Sequence, residues 1–397
     1  MSVEKKFYGY TADQKEISSY TLTNKSGMKA VLLDIGAVIE SLLVPDKNGN
    51  LVDVVLGFGD PKLYLENNGS LGAVVGRHAN RIANATYTLN GVTYKLEANN
   101  GPNNLHSNPG SYYKRLWDAK IGENSVAFTL HSPDGDQNYP GNFTVTVTYT
   151  LSDENGLSLQ YDMESDKDTL ANLTNHSYFN MDGHDSGDVL SQKVWIDADQ
   201  FTPSDSTLIP TGEYRDVTGT PFDFRTEKTI GQDIHADDEQ IKNGGGYDHN
   251  YVLKTDGKFA KVASMTGAKS GIVMDVYTDM PGMQVYTANG TTIECGKNKS
   301  SYKPFCGACF ETQFFPDSIH HENFKSCVLK GQIQSLQLLQ NIVSIRYNSK
   351  EEAAAKTTAS CFRFKEKSKC RKVFSWGNNC LSLRSRALQQ NLQRRLR

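Results

Sequence analysis

The stretch NFTVTVTYTL, residues 142–151, alternates polar and apolar side chains along its whole length. A two-residue period sorts side chains onto the two faces of an extended chain, whereas a helix would scatter them around its axis. A strand also needs neighbours to satisfy its backbone N–H and C=O groups, and the chain supplies many. TYTLNGVTYKL (86–96) is two runs rich in Thr, Tyr and Val joined by Asn90-Gly91, a pair suited to the positive φ angles of a type I′ hairpin. GLSLQYDMES, VWIDADQFTPS and GIVMDVYTD repeat the theme, and turn clusters such as PDKNGN, SPDGDQNYPGN and SDENG punctuate it. No helical period is sustained before residue 330, and no solenoid repeat or dinucleotide-binding glycine fingerprint appears. The expected fold class is all-β, a large antiparallel β-sandwich around one continuous core.

The end of the chain differs in character. Residues 330–397 carry 15 Lys/Arg against 3 Asp/Glu, leaving 27 against 42 for the first 329 residues. The overall net charge of −3 therefore hides an acidic body near −15 and a basic tail near +12. Hairpin signals stop there, and Leu388, Leu392 and Leu396 fall at the i, i+4, i+8 spacing of a short amphipathic helix. Seven cysteines occur, none before Cys295, which does not suit a disulfide framework and favours reduced thiols. The N-terminus has no apolar core of a secretory signal. The most apolar run, AVLLDIGAVIESLLV, is interrupted by Asp34 and Glu40 and is too short to span a bilayer. These features point to a cytoplasmic protein without membrane attachment.

Four places set polar, chemically able groups among residues expected to be buried. GAVVGRHANRIANATYTL (72–89) carries Arg77, Asn80 and Arg81, whose donors suit hydroxyl recognition. The loop NNGPNNLHSNPG (99–110) holds His106, and LTNHSYFNMDG (173–183) holds His176 beside Tyr178 and Phe179. FCGACFETQFFPDSIHH (305–321) sets Glu311 in a strongly aromatic strand. Period-two counting puts Cys309, Glu311 and Gln313 on one face and Phe310, Thr312 and Phe314 on the other, so the carboxylate can face a polar cleft. A solvated Glu on an edge strand, a satisfied core His and a surface Arg are the plain alternatives for these residues.

Several motifs fail on inspection. DGDQN (134–138) begins like a calcium loop, but Tyr139 and Val145 stand where Gly and Glu are needed. Cys306 and Cys309 have C-x-x-C spacing without a second pair. His320 and His321 are adjacent, so a strand would point them apart. Neither a metal site nor a nucleic-acid-binding fold is expected.

Taken in order, VPDKNGNLVDVVLGF, GRHANRI, GPNNLH, NHSYFN, GYDHNYVL, MPGMQVYT and FETQFFPDSIHH resemble the aldose 1-epimerase (galactose mutarotase) family from about residue 5 to residue 329. The resemblance implies a galactose mutarotase-like supersandwich that interconverts the α and β anomers of hexoses such as galactose and glucose without a cofactor. It matches Glu311 to the general base, His176 to the general acid and His106 to a residue also counted as catalytic. Asn80, Arg81, His106, Tyr178, Asp248 and Gln284 match sugar-binding positions. Tyr178 and Phe315 are candidates to pack on the sugar's apolar face. The loop LHSNPGSYYKRLW departs from the family pattern, and Ser107 and Tyr112 are expected to alter the pocket rim.

The match stops near Leu329. Residues 1–329 are expected to form one aldose 1-epimerase-like domain. Residues 330–397 are expected to form a divergent, poorly ordered basic tail outside the core, leaving the family's final strand missing. The partner implied is a free aldohexose, with no nucleic acid and no membrane, acting on a monomer. A non-catalytic sugar-binding or regulatory protein on the same scaffold, or a sugar-6-phosphate 1-epimerase, is the competing reading. The first would not need an acid–base pair, and the second would need an extra cluster of Arg or Lys near these motifs.

Overall fold

A computed structural model describes residues 2–331 and the backbone of residues 336–347. The alternating run forms the strand Phe143–Leu151, in which Phe143, Val145, Val147, Tyr149 and Leu151 are buried and the threonines between them are half-buried. Its neighbour Ser125–Ser132 presents Val126, Phe128 and Leu130 to the same side, opposite Tyr149, Val147 and Val145. On the other face Thr129 and Thr146 share a hydrogen bond of 2.8 Å. The hairpin Thr86–Leu89 to Val92–Lys95 turns at Asn90 and Gly91, with φ angles of 51° and 77°.

Three antiparallel sheets dominate the described residues. The N-terminal sheet has five strands, Ser2–Tyr10, Glu16–Thr23, Lys29–Leu33, Val38–Pro45 and Leu51–Asp53, in chain order. A nine-stranded sheet runs from Asp118–Ile121 at one edge to Lys228–Thr229 at the other. A second five-stranded sheet is ordered Arg215–Asp216, Gln200–Thr202, Asp248–Val252, Gly282–Tyr286, Cys309–Gln313. One hydrophobic cluster draws on all three, joining Leu22 and Leu32, Phe128 and Tyr161, and Phe201, Met283 and Phe310. This is the expected all-β sandwich. The two α-helices among the described residues, Leu63–Glu66 and Glu239–Gly244, are short.

The expectation that residues beyond 329 stay out of the core is corrected. Leu336–Tyr347 is a strand in the middle of the nine-stranded sheet, between Gly156–Ser165 and Ile272–Thr278. Val343 stands opposite Leu157 on one side and Val276 on the other. The reason it escapes a period-two reading is visible in the register. Both ladders slip between Gln340 and Ile342, so Asn341 is an extra residue, a β-bulge. A one-residue insertion exchanges the two faces midway and erases the alternation. The first compact unit extends to Tyr347. The rest of the expected tail, with Leu388, Leu392 and Leu396, lies outside the described residues.

Arg77 is a second correction. It is not a surface residue, and its donors are taken up inside the protein and not offered to a ligand's hydroxyls. It is fully buried and donates from Nε to Tyr112 Oη (3.2 Å), from one terminal nitrogen to the Pro140 carbonyl (2.9 Å) and Thr169 Oγ1 (3.1 Å), and from the other to Ser132 Oγ (2.7 Å). Its guanidinium lies over the Phe143 ring, 4.8 Å from the centroid. A planar five-donor group can tie four chain segments together at one point.

Two outcomes follow from this architecture. A chain ending at Gly331 leaves Gly156–Ser165 and Ile272–Thr278 without the strand between them and should be recovered as aggregate, whereas one ending at Tyr347 should unfold cooperatively; calorimetry on both tests this. Arg77→Met leaves buried carbonyls without donors and should cost about 3 kcal/mol or more of unfolding free energy in a urea titration.

Candidate active site

The strand Cys309–Gln313 is buried along its whole length although it ends its sheet. One side pairs with Gly282–Tyr286, which sets Glu311 opposite Gln284 and Phe310 opposite Val285. The other side is covered by the segment around residues 172–179. There the Asn172 side chain accepts from Phe314 N (2.9 Å) and donates to the Phe314 carbonyl (3.2 Å), and Thr174 Oγ1 donates to the Thr312 carbonyl (3.1 Å). Phe179 and Ala308 exchange backbone hydrogen bonds of 2.8 and 2.9 Å. The same segment pairs Thr174–Asn175 with Val74–Val75. His176 is thereby carried to Glu311: Nε2 lies 3.6 Å from Oε1, with both side chains almost fully buried.

Around this pair opens a cavity of about 330 Å³, at the small end of ligand pockets. His106, Asn80, Arg81, Asp248 and Tyr178 line it together with His176 and Glu311. The loop geometry that presents His106 uses positive φ at Asn80 (59°), His106 (57°) and Ser107 (53°). Asn80 N donates to His106 Nδ1 (3.0 Å), and His106 N donates to the Asn80 carbonyl (3.0 Å). Nδ1 is thus an acceptor, and the neutral ring carries its proton on Nε2. Arg81 donates from Nε to Asn100 Oδ1 (3.0 Å) and holds a terminal nitrogen 3.9 Å from Asp248. Tyr178 donates to the Gly69 carbonyl (2.9 Å) and sets its ring 5.0 Å from the His176 ring.

Burial dominates the electrostatics. It pushes the Glu311 carboxyl well above the usual carboxylate range, Asp248 adding to the effect and Arg81 opposing it. It pulls the His176 imidazole below its ordinary value, and it pulls down His106, with the charges of His176 and Arg81 acting the same way. Glu311 Oε2 has no hydrogen-bond partner among the described residues. A buried, unpaired acid costs free energy unless a ligand completes it.

Gln284 differs from the other expected sugar-binding positions. It is not among the residues lining the cavity, and it donates from Nε2 to Asp248 Oδ1 (2.7 Å), which is. Phe315 is also absent from the lining and packs edge-on against Phe324. Ser107 and Tyr112 do not form the rim: Ser107 Oγ accepts from His78 N (2.8 Å), and Tyr112 is the buried acceptor for Arg77. His320 and His321 are not on a strand and both turn onto Asp317, at 2.6 and 3.5 Å. Residues not singled out beforehand complete the wall, among them Asn68, Ser70, Tyr113 and Tyr286. The turn-rich run ENNGS surrounds the first two, Tyr113 falls in LHSNPGSYYKRLW and Tyr286 in MPGMQVYT.

The fold also brings together His176, Cys309 and Glu311, whose ligand atoms all lie within 4.8 Å of one another. Neither of the spacings considered, C-x-x-C or adjacent histidines, indicates this group, because His176 comes from a distant segment.

A family model described as aldose 1-epimerase matches residues 18–335. The galactose mutarotase of Sus scrofa is 42% identical over 305 residues, covering 76% of this chain and 87% of that protein. The aldose 1-epimerase of Escherichia coli is 40% identical over 303 residues, with the same coverage of 76% and 87%. Among solved structures, a GalM/aldose epimerase homologue from C. elegans superposes with a TM-score of 0.76 at 30% identity, covering 87% of this chain and 100% of that one. A galactose 1-epimerase from Lactobacillus acidophilus gives a TM-score of 0.77 at 26% identity, covering 88% and 99%.

Proposed function

The chain belongs to the aldose 1-epimerase family and is an isomerase of that kind, and from this premise we propose that Glu311 and His176 are the base and acid that open and close the hexose ring. The observation that carries the assignment is the approach of His176 Nε2 to Glu311 Oε1, 3.6 Å, on the wall of a cavity that both line. The two oxygens that exchange protons in mutarotation sit on one carbon, so an acid and a base in near contact suit them.

Glu311 takes the proton of the C1 hydroxyl, and the electron pair left on that oxygen forms the C1 carbonyl. The bond from C1 to the ring oxygen breaks, and that oxygen takes the proton on His176 Nε2. Rotation about C1–C2 turns the aldehyde over, and the reverse transfers close the ring on the other face. Atoms and protons balance within the sugar and the two side chains.

The pair holds one proton throughout. Before opening it is a carboxylate and an imidazolium; afterwards it is a carboxylic acid and a neutral imidazole. Burial favours the second arrangement, raising Glu311 and lowering His176. A sugar hydroxyl donating to the carboxylate, and a ring oxygen accepting from the imidazolium, favour the first. The two arrangements are thereby drawn together in energy, which suits a reversible reaction between nearly equal anomers.

The other wall residues hold the sugar. Arg81 and Asp248, nearly paired across the cavity, offer donors and an acceptor to hydroxyls. Gln284 acts through Asp248, and His106 donates from Nε2. Tyr178 supplies an apolar face beside His176. A protein that only binds sugar would not need the buried acid–base pair. Arg81 is the one Lys or Arg among the lining residues described, and it is engaged with Asn100 and Asp248, which disfavours a sugar phosphate. The substrate is a free aldohexose, bound by a monomer. The acidic body disfavours nucleic acid. No helix among the described residues is long and apolar enough to cross a membrane. The four described cysteines are free, which supports a cytoplasmic setting.

Polarimetry of freshly dissolved α-galactose tests the pair. Glu311→Gln and His176→Asn should each slow mutarotation by about 10²–10⁴-fold with the fold intact; rates equal to the parent chain's would remove these residues from their roles. Arg81→Lys loses the planar fork that meets Asn100 and Asp248. It should raise KM several-fold more than it lowers kcat, and a change confined to kcat would contradict a binding role.

A further inference from the structure

The acid and the base have a neighbour that ring opening does not use. Cys309 precedes Glu311 by two residues on the same strand face, is fully buried, and places Sγ 3.6 Å from His176 Nδ1. We propose that His176, Cys309 and Glu311 form a binding site for a thiophilic divalent cation of the Zn²⁺ or Cd²⁺ class, and that its occupation switches the isomerase off. The inhibitory half rests on the acid–base assignment above; the binding half does not.

The geometry is close to what such a cation needs. Tetrahedral zinc at about 2.3 Å from sulfur and about 2.0–2.1 Å from nitrogen holds those two atoms about 3.6 Å apart. That is the distance found between Sγ and Nδ1. One imidazole nitrogen, the sulfur and one carboxylate oxygen all lie within 4.8 Å of one another, so small rotations of Glu311 complete a three-ligand set. Independently of this spacing, Glu311 is 2% exposed and its Oε2 has no partner among the described residues. His176 and Glu311 line the cavity, which gives a cation a way in to these two ligands.

Charge favours the filled site. A dication bound to thiolate, carboxylate and neutral imidazole makes a cluster with no net charge, releasing the thiol and carboxyl protons to solvent. The mixed sulfur, nitrogen and oxygen set selects borderline-soft ions over Mg²⁺ and Ca²⁺, which prefer oxygen ligands. Occupation engages the imidazole and the carboxylate together, so neither is free to exchange a proton with the sugar.

The full chain is titrated with Cd²⁺ while the thiolate-to-cadmium charge-transfer absorbance and the mutarotation of α-galactose are both followed. Wild type should lose activity as the band grows, recover with EDTA, and be protected by excess galactose. Cys309→Ala and Cys309→Ser keep the acid and the base. Both should turn over sugar yet need more than about tenfold higher Cd²⁺ for the same inhibition. They should also lack the absorbance of one thiolate, the other six cysteines serving as the common background. Undiminished sensitivity and an unchanged band in both variants would overturn the proposal. A chain that shows the Cys309-dependent band but no mutarotation would sustain the cation site and overturn the function assigned to it. If Cys309→Ala fails to fold, the isosteric Cys309→Ser decides the question alone.

Discussion

A carboxylate has to be held out of water and still be reachable, and most of this structure serves that requirement. Glu311 lies on the last strand of its sheet, where one flank would normally meet solvent. The flank is closed by side chains instead of a further strand: Asn172 occupies both backbone groups of Phe314, and Thr174 reaches the carbonyl of Thr312. Because the covering segment also carries His176, the interaction that dries Glu311 also brings His176 to it. Loss of that seam would rehydrate Glu311 and misplace His176 together.

The surrounding polar groups are arranged by the same logic. Arg81 and Asp248 are near enough to moderate each other's charge, and Gln284 fixes Asp248. His106 has one ring nitrogen occupied by a backbone N–H, which leaves it a single role toward the cavity. Arg81 and Asp248 are thus each restrained by a partner that does not line the cavity, Asn100 and Gln284. Such support from outside the cavity is what pre-organises a binding site.

Much of this was legible in the amino-acid sequence wherever one face of a strand is wet. Phe143–Leu151 and the Asn90-Gly91 hairpin declare themselves because alternation and turn chemistry are local. Glu311, His176 and His106 were reachable through the order of several motifs, not through any single spacing. Where the environment is dry on all sides, the signal disappears. Arg77 looks like a loop arginine because nothing local reveals that Phe143, Ser132, Pro140 and Thr169 converge on it from distant positions. Nothing local around Gln284 reveals that its amide meets Asp248. The strand Leu336–Tyr347 was hidden by the bulge at Asn341, which breaks the period on which strand recognition depends.

That strand also sets an order of events. It comes last among the described strands yet sits fifth of nine in its sheet, with the four strands made from residues 118–165 on one side and four from residues 193–278 on the other. During synthesis neither half can meet the other until the chain has been extended through Tyr347. The two half-sheets must wait with facing edges unmated until Leu336–Tyr347 enters between them as the key that locks them. The interval before that strand is made is when the nascent chain is most in need of protection.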